Sequence, residues 1–129
     1  GHRLNDPFNP ETKLYPAHNI IGTTGQKLYG QVGSWFDQHH DDSHVYKFNK
    51  NRYSSFQNTN LDNYLRERWI DEVWIAGVCT DICVLHTAIS AYNLDYHIVI
   101  PQAAVATFSP AGAEWAMNHF KNVLGATIR

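Results

Sequence analysis

Cysteine is scarce in this sequence, and the scarcity excludes a disulfide-stapled fold: Cys79 and Cys83 are the two present. Both lie in one short motif, which suits a reducing compartment and predicts a cytoplasmic protein. Their C-x3-C spacing is not the redox C-x-x-C pair, and no second pair nearby completes a structural zinc site. Charge of a single sign is missing too. Ten Lys and Arg against twelve Asp and Glu leave a formal charge of −2, so neither nucleic acid nor an anionic membrane is expected as a partner. No apolar run approaches the roughly 20 residues of a membrane span, and no secretory signal opens the chain. Internal repeats and low-complexity tracts are absent as well. What is there is a chain of 129 residues, 43% hydrophobic and 17% charged, which fits one globular domain with a sizeable core. Eight histidines are many for this length, and they make metal binding worth testing.

The most informative stretch spans residues 72–93. Residues 72–76 form a short apolar run rich in β-branched and aromatic side chains, the pattern of a buried strand. Gly77 breaks the run, and Thr80-Asp81 offers an N-cap and an acidic first turn for a helix to about Asn93. That helix is apolar nearly all round, so burial is expected. With Thr80 as N-cap, Cys83 falls at N3, facing backbone N–H groups and the positive end of the helix dipole. Such a position lowers a thiol pKa from about 8.5 into the range of roughly 3.5 to 7.5. Most unbridged cysteines are inert core, however. Spacing alone makes Cys79 a core residue and leaves Cys83 evenly divided between core and nucleophile.

Around it, residues 45–48 and 97–100 read as strands and residues 126–128 as a last one. Thr59-Asn-Leu-Asp62 resembles a capping box opening a helix to about Trp69, and Ser109-Pro110 is an N-cap and N1 pair for a helix to about Asn122. Residues 30–36 fit a short strand or a helical turn. Residues 38–44 concentrate three histidines and two aspartates, yet adjacent His-His and Asp-Asp pairs point apart, so a solvated loop is expected there and no site. Strands alternating with helices imply βαβ units and an α/β fold: three layers, α/β/α, about a mainly parallel sheet. Residues 1–30 are polar, punctuated by Pro7, Pro10 and Pro16, and read as a long loop of the kind that is usually functional.

The run Gly77-Val78-Cys79-Thr80-Asp81-Ile82-Cys83-Val84 resembles the G-V-x-T-x-x-C-V signature of the isochorismatase-like cysteine hydrolases. Three further segments match in order over essentially the whole chain, and within that superfamily the likeness is to bacterial nicotinamidases. The resemblance implies that Cys83 is the nucleophile and that the backbone N–H groups of Cys83 and Cys79 form an oxyanion hole, with a cis peptide at Val78–Cys79. It implies a catalytic lysine four residues before the serine of an S-x-F turn, which is Lys50, and a substrate-lining role for Tyr53. Residues 10–25 are similar to the family's metal loop, in which Glu11 and His18 would be ligands, and His2 matches the histidine of its Asp-x-His pair. Carboxylate and imidazole donors suit Zn²⁺, Fe²⁺ or Mn²⁺, and softness alone does not choose among them; zinc is the first expectation, with iron or manganese as alternatives.

The resemblance thus implies a metal-assisted amidohydrolase that converts nicotinamide to nicotinic acid and ammonia through a thioester. Two of the family's acids have no counterpart here: the triad aspartate and the aspartate of the Asp-x-His pair. Asp6 lies in the metal loop, and Asp37, Asp41 and Asp42 lie in the polar stretch. The expectation is therefore a single isochorismatase-like hydrolase domain over residues 1–129 that lacks its N-terminal strand or strands. The missing acids would come from an N-terminal fragment or a second chain, and exposed strand edges would favour a homo-oligomer. The competing expectations are another amide hydrolase of the superfamily and a non-catalytic fragment that binds metal or a partner.

Overall fold

Parallel strands require a crossover between them, and here each crossover contains a helix. The computed structural model describes residues 1–129, which fall into two compact units, Gly1–Asn51 and Arg52–Arg129. The second unit carries five short strands: β1 (Glu72–Trp74), β2 (Gly77–Val78), β3 (His97–Ile100), β4 (Val105–Ala106) and β5 (Thr127–Ile128). Three of them make a sheet in the order β1-β3-β5, and β2 pairs separately with β4. Every pairing is parallel, with Val73 opposite Ile98, Val99 opposite Thr127 and Gly77 opposite Val105. Of its three helices, α2 is Leu61–Arg66, α3 is Leu85–Asn93 and α4 is Pro110–Asn122. Helix α3 connects β1 and β2 to β3, and α4 connects β4 to β5.

Packing explains the arrangement. Helix α3 buries Leu85, Ala88 and Ala91, and α4 buries Ala116 and Phe120. The two helices touch each other, α3 lies against β3, and α4 lies against β5. Alanines at 88, 91 and 116, all fully buried, let these backbones approach closely, while Phe120 and Ile100 fill the volume between. Ser109 caps α4 as the sequence predicts: its Oγ accepts the Gly112 N–H at 3.0 Å, with Pro110 in the first turn. Helix α2 stops at Arg66, short of the expected end at Trp69. Trp69 adopts φ +56°, a left-handed conformation that no helix continues through, and the Ile70 N–H closes onto the Leu65 carbonyl at 3.1 Å.

The first unit holds two short 3₁₀ turns, Pro10–Lys13 and Thr24–Gln26, and the helix α1 at Gly30–His39. Residues 30–36 are therefore helical. Trp35 and His39, four apart, stack at 4.6 Å, the neighbour relation of a helix surface. Residues 45–48 are not a strand. Tyr46 and Phe48 stack at 5.5 Å, but no neighbouring strand is hydrogen-bonded to them, and alternation without a ladder does not make a sheet. No helix in the chain is long and apolar enough to cross a membrane.

Two expectations follow from the core of the second unit. Phe120→Ala should cost about 3–5 kcal/mol in urea unfolding, because the cavity opens between two helices held by alanine contacts. Tyr96 is buried and donates its hydroxyl to Asp62 Oδ1 at 2.6 Å. Burial first, and the Asp62 carboxylate second, push its pKa up to about 12. The neutral phenol is the form the fold favours, so its stabilisation is complete below about pH 10 and is lost as pH rises through about 12. Unfolding free energy should fall across that window in the wild type and stay flatter in Tyr96→Phe.

Candidate active site and metal-binding loop

The strand-to-helix switch at residues 75–85 places the two cysteines. Gly77 takes φ +124°, a conformation side chains rarely adopt, and it redirects the chain from β1 into β2. The Val78–Cys79 peptide is cis, as the family resemblance implies. Cys79 then caps a π-type turn, Thr80–Val84, that runs directly into α3. The N-cap is thus Cys79 and not Thr80, which lies inside the turn and is buried. This moves Cys83 one residue further into the helix than the sequence predicts. The turn is also wider than an α-turn: the Cys79 carbonyl accepts from the Ile82 and Val84 N–H groups, each at 3.1 Å. Val84 takes the place that the Cys83 N–H holds in an α-turn. Both cysteines are half-buried and unbridged, so neither belongs to a sealed apolar core. They sit at the carboxyl end of β2, the side on which open parallel sheets bind ligands.

Side chains fix this turn from two directions. The Asp81 carboxylate accepts from Thr107 Oγ1 at 2.7 Å and lies against Gly112 in the first turn of α4, where the helix dipole favours an anion. Asp81 is thereby committed to holding the turn. From the other direction, buried Thr87 donates its hydroxyl to the Cys83 carbonyl at 2.7 Å and accepts the Ser55 N–H at 3.0 Å. Ser54 Oγ donates to Ser90 Oγ at 2.7 Å. Residues 54–55 of the S-x-F turn are thus laced to α3 by hydroxyl groups. Next to them, the Tyr53 ring lies 5.1 Å from the ring of His86, and His86 Nδ1 bonds the Ile82 carbonyl at 2.7 Å. Sequence reasoning did not find Thr87, Ser90 or His86. Their signal was faint, since one helical face carries 83, 86, 87 and 90 at i, i+3, i+4 and i+7 from the cysteine.

Lys50 belongs to the first unit, half-buried at the end of the extended stretch, its carbonyl accepting from the Gly1 amino group at 2.8 Å. That unit brings together His2, Glu11 and His18. Glu11 is buried in the Pro10–Lys13 turn. Its Oε2 lies 3.1 Å from His2 Nε2 and 3.9 Å from His18 Nε2. The three donor atoms all fall within 4.8 Å of one another. His2 is set by a lone parallel bridge to Ile20, and His18 Nδ1 is held by the Pro16 carbonyl at 2.8 Å. Burial pushes the His2 imidazole below the ordinary histidine range, against the opposing pull of Glu11. These residues line a cleft of about 210 Å³ that also includes Tyr15 and Asn9. Asp6 does not join them: its Oδ1 accepts the Phe8 N–H at 3.0 Å in a local turn. The expected loop at residues 38–44 is only partly one, because Gln38 and His39 end helix α1; His39 and His40 bond the Trp35 and Asp37 carbonyls of that helix, and His44 bonds Asp42.

Two imidazole nitrogens and a carboxylate oxygen facing one point make a donor set that fits a divalent transition ion. The isochorismatase domain family matches residues 3–129, through both the cysteine turn and the loop of Glu11 and His18. The chain belongs to the isochorismatase family. An isochorismatase family protein of Bacillus subtilis described as uncharacterized, PncA, is 49% identical over 128 residues, covering 99% of this chain and 70% of that protein. The solved pyrazinamidase/nicotinamidase of Streptococcus mutans is 53% identical with a TM-score of 0.97, covering 100% of this chain and 71% of that one. A pyrazinamidase of Pyrococcus horikoshii, solved in complex with zinc, is 26% identical with a TM-score of 0.73, covering 89% of this chain and 62% of that one. The chain is thus similar over nearly its whole length to proteins solved as nicotinamidases.

The hydroxyl lacing has a measurable weight. Thr87→Val keeps the volume but strands the Ser55 N–H, and should cost roughly 1–3 kcal/mol in urea unfolding. Thr87→Ser should recover most of that loss; equal costs for the two variants would place the effect in packing instead.

Proposed function

We propose that this chain hydrolyses nicotinamide to nicotinic acid and ammonia with Cys83 as nucleophile. The observation that carries the reading is the pairing of a cysteine in a turn at a sheet's carboxyl edge with a His2–Glu11–His18 donor set in the same chain. The Cys83 thiolate attacks the amide carbonyl and gives a tetrahedral oxyanion, for which the Cys83 and Cys79 N–H groups are the donors. Collapse breaks the C–N bond, the amide nitrogen leaves as ammonia after taking a proton, and the acyl group stays on sulfur as a thioester. Water then cleaves the thioester to the carboxylic acid and regenerates the thiol. We assign Lys50 the catalytic-lysine role that the family resemblance implies, and Tyr53, whose ring lies 5.1 Å from that of His86, a substrate-lining role.

His2, Glu11 and His18 would hold the divalent ion, zinc by preference and iron or manganese as alternatives. When bound, it supplies a Lewis-acidic anchor for the pyridine nitrogen of the substrate, which orients the amide. The proton carrier between thiol and leaving amine is a carboxylate that we place outside these 129 residues, in a longer form of the protein, a separate N-terminal fragment or a second chain, together with a further aspartate ligand for the metal. Separately from that supply, we take a homo-oligomer to be the assembly that exposed strand edges favour. We read both compact units as parts of one hydrolase domain, since a single family match runs through both. The substrate class suits pyridine-nucleotide salvage in the cytoplasm. Hydrolysis of a carbamoyl-amide is the second reading within the superfamily, and the metal loop speaks against it. A non-catalytic, metal-binding chain is the reading outside it.

Ammonia release from nicotinamide by the zinc-loaded protein is the decisive assay. Cys83→Ala should abolish turnover by a factor of at least about 10³, whereas Cys79→Ala, which keeps its backbone N–H, should retain most of it. Faster alkylation of Cys79 than of Cys83 by iodoacetamide at neutral pH would overturn the nucleophile assignment.

A further inference from the structure

Asn9 is among the most buried polar residues of the chain, with 4% of its surface exposed, although its side chain is not of a metal-ligating kind. Its two amide atoms do different work. Oδ1 accepts the Glu11 N–H at 3.1 Å and so caps the turn that presents the Glu11 carboxylate. That fixes which way the amide faces, and Nδ2 then meets His2 Nδ1 at 2.7 Å. One side chain therefore joins the turn bearing one candidate ligand to the ring bearing another, seven residues away. His2 Nε2 is left 3.1 Å from Glu11 Oε2. His18, by contrast, takes its orientation from a backbone carbonyl at Pro16.

We propose that Asn9 is a positioning residue of the metal site, whose amide sets the rotation of the His2 ring against the Glu11 carboxylate. The inference rests on the metal-binding part of the function proposed above. Hydrogen-bond chemistry gives it content. A donor at Nδ2 requires a lone pair on His2 Nδ1, so the ring proton sits on Nε2 and points at Glu11. The Pro16 carbonyl requires the reverse of His18: its proton sits on Nδ1, and Nε2 offers a lone pair. In the structure the site is a chain of hydrogen bonds, Asn9 to His2 to Glu11, and His18 is in the tautomer whose Nε2 offers a lone pair. For His2 Nε2 to ligate, its proton must move to Nδ1, and the Asn9 amide must turn to present Oδ1 to it, giving up the Glu11 N–H that Oδ1 accepts in the structure. Partners of ligating histidines act in this way to fix ring and tautomer, and their loss typically lowers metal affinity by about 10–100-fold.

The test is zinc affinity of the full chain, read by competition with a chromophoric chelator, with melting in EDTA as a separate readout. Asn9→Ser still caps the Glu11 turn but is too short to hold the ring. It should melt within a few degrees of wild type in EDTA and bind zinc about 10–100-fold more weakly. Asn9→Asp offers an oxygen to the Glu11 N–H and another to His2 Nδ1, so it should bind zinc at least as tightly as wild type. Wild-type affinity in Asn9→Ser would overturn the proposal and leave Asn9 a turn cap only. Should Asn9→Ser melt early in EDTA, Asn9→Asp decides: zinc binding at least tenfold weaker than wild type with unchanged melting overturns it. Absence of zinc binding by the wild type itself would remove the metal reading and this inference together, whereas loss in the variants alone concerns Asn9.

Discussion

A parallel ladder can close only through a crossover, and in the second unit that constraint decides where the chemistry sits. To pair β1 with β3 the chain must leave the sheet, turn, run back as α3 and re-enter. The turn is therefore obligatory, and it falls at the carboxyl edge of the strands, where helix N-terminal dipoles and uncrowded backbone meet. The two cysteines occupy it. Burial of α3 along Leu85, Ala88 and Ala91 anchors the turn from behind, and Asp81 ties it sideways to the start of α4. The core of the second unit and the proposed nucleophile are one construction.

The first unit follows a different physical logic. It has little apolar interior, and polar contacts organise it: a proline turn capped by Asn9, a single bridge at His2, and a carboxylate between two imidazoles. Loops of this kind hold their shape when their polar groups are satisfied locally. Here the satisfied groups are also the candidate ligands. A metal ion would replace hydrogen bonds already made, which is why the Asn9 amide matters to the site as well as to the turn.

The sequence made the larger elements legible where a local rule and the global packing agree. Strand β3 matches its reading at both ends, and Ser109-Pro110 marks the start of α4 because capping and proline geometry act within one turn. Residues 45–48 misled for the opposite reason: alternation is a property of the segment, but a strand is a property of two segments. The N-cap slipped from Thr80 to Cys79 because a π-type turn adds a residue that no propensity encodes. Glu11 and His18 were visible only through family resemblance, since their spacing across Pro16 has no period. Asn9 had a readable signal in Asn-Pro-Glu, that of a capped proline turn, but its bond to His2 depends on chain reversal over seven residues. Thr87 and Ser90 looked like ordinary helix interior.

The hydroxyl lacing between residues 54–55 and α3 differs in kind from the alanine contact behind α3. Methyl groups packed at van der Waals distance resist sliding, whereas a hydroxyl exchanges its partner for water at little net loss. The turn that carries the cysteine is accordingly backed by van der Waals contact, and the segment that carries Tyr53 is fastened by hydroxyl links that can be re-made one at a time. On the proposed function, accommodation of amides with larger or smaller rings would then be a property of the Tyr53 side, and selection for a new substrate could act there without loosening the proposed nucleophile.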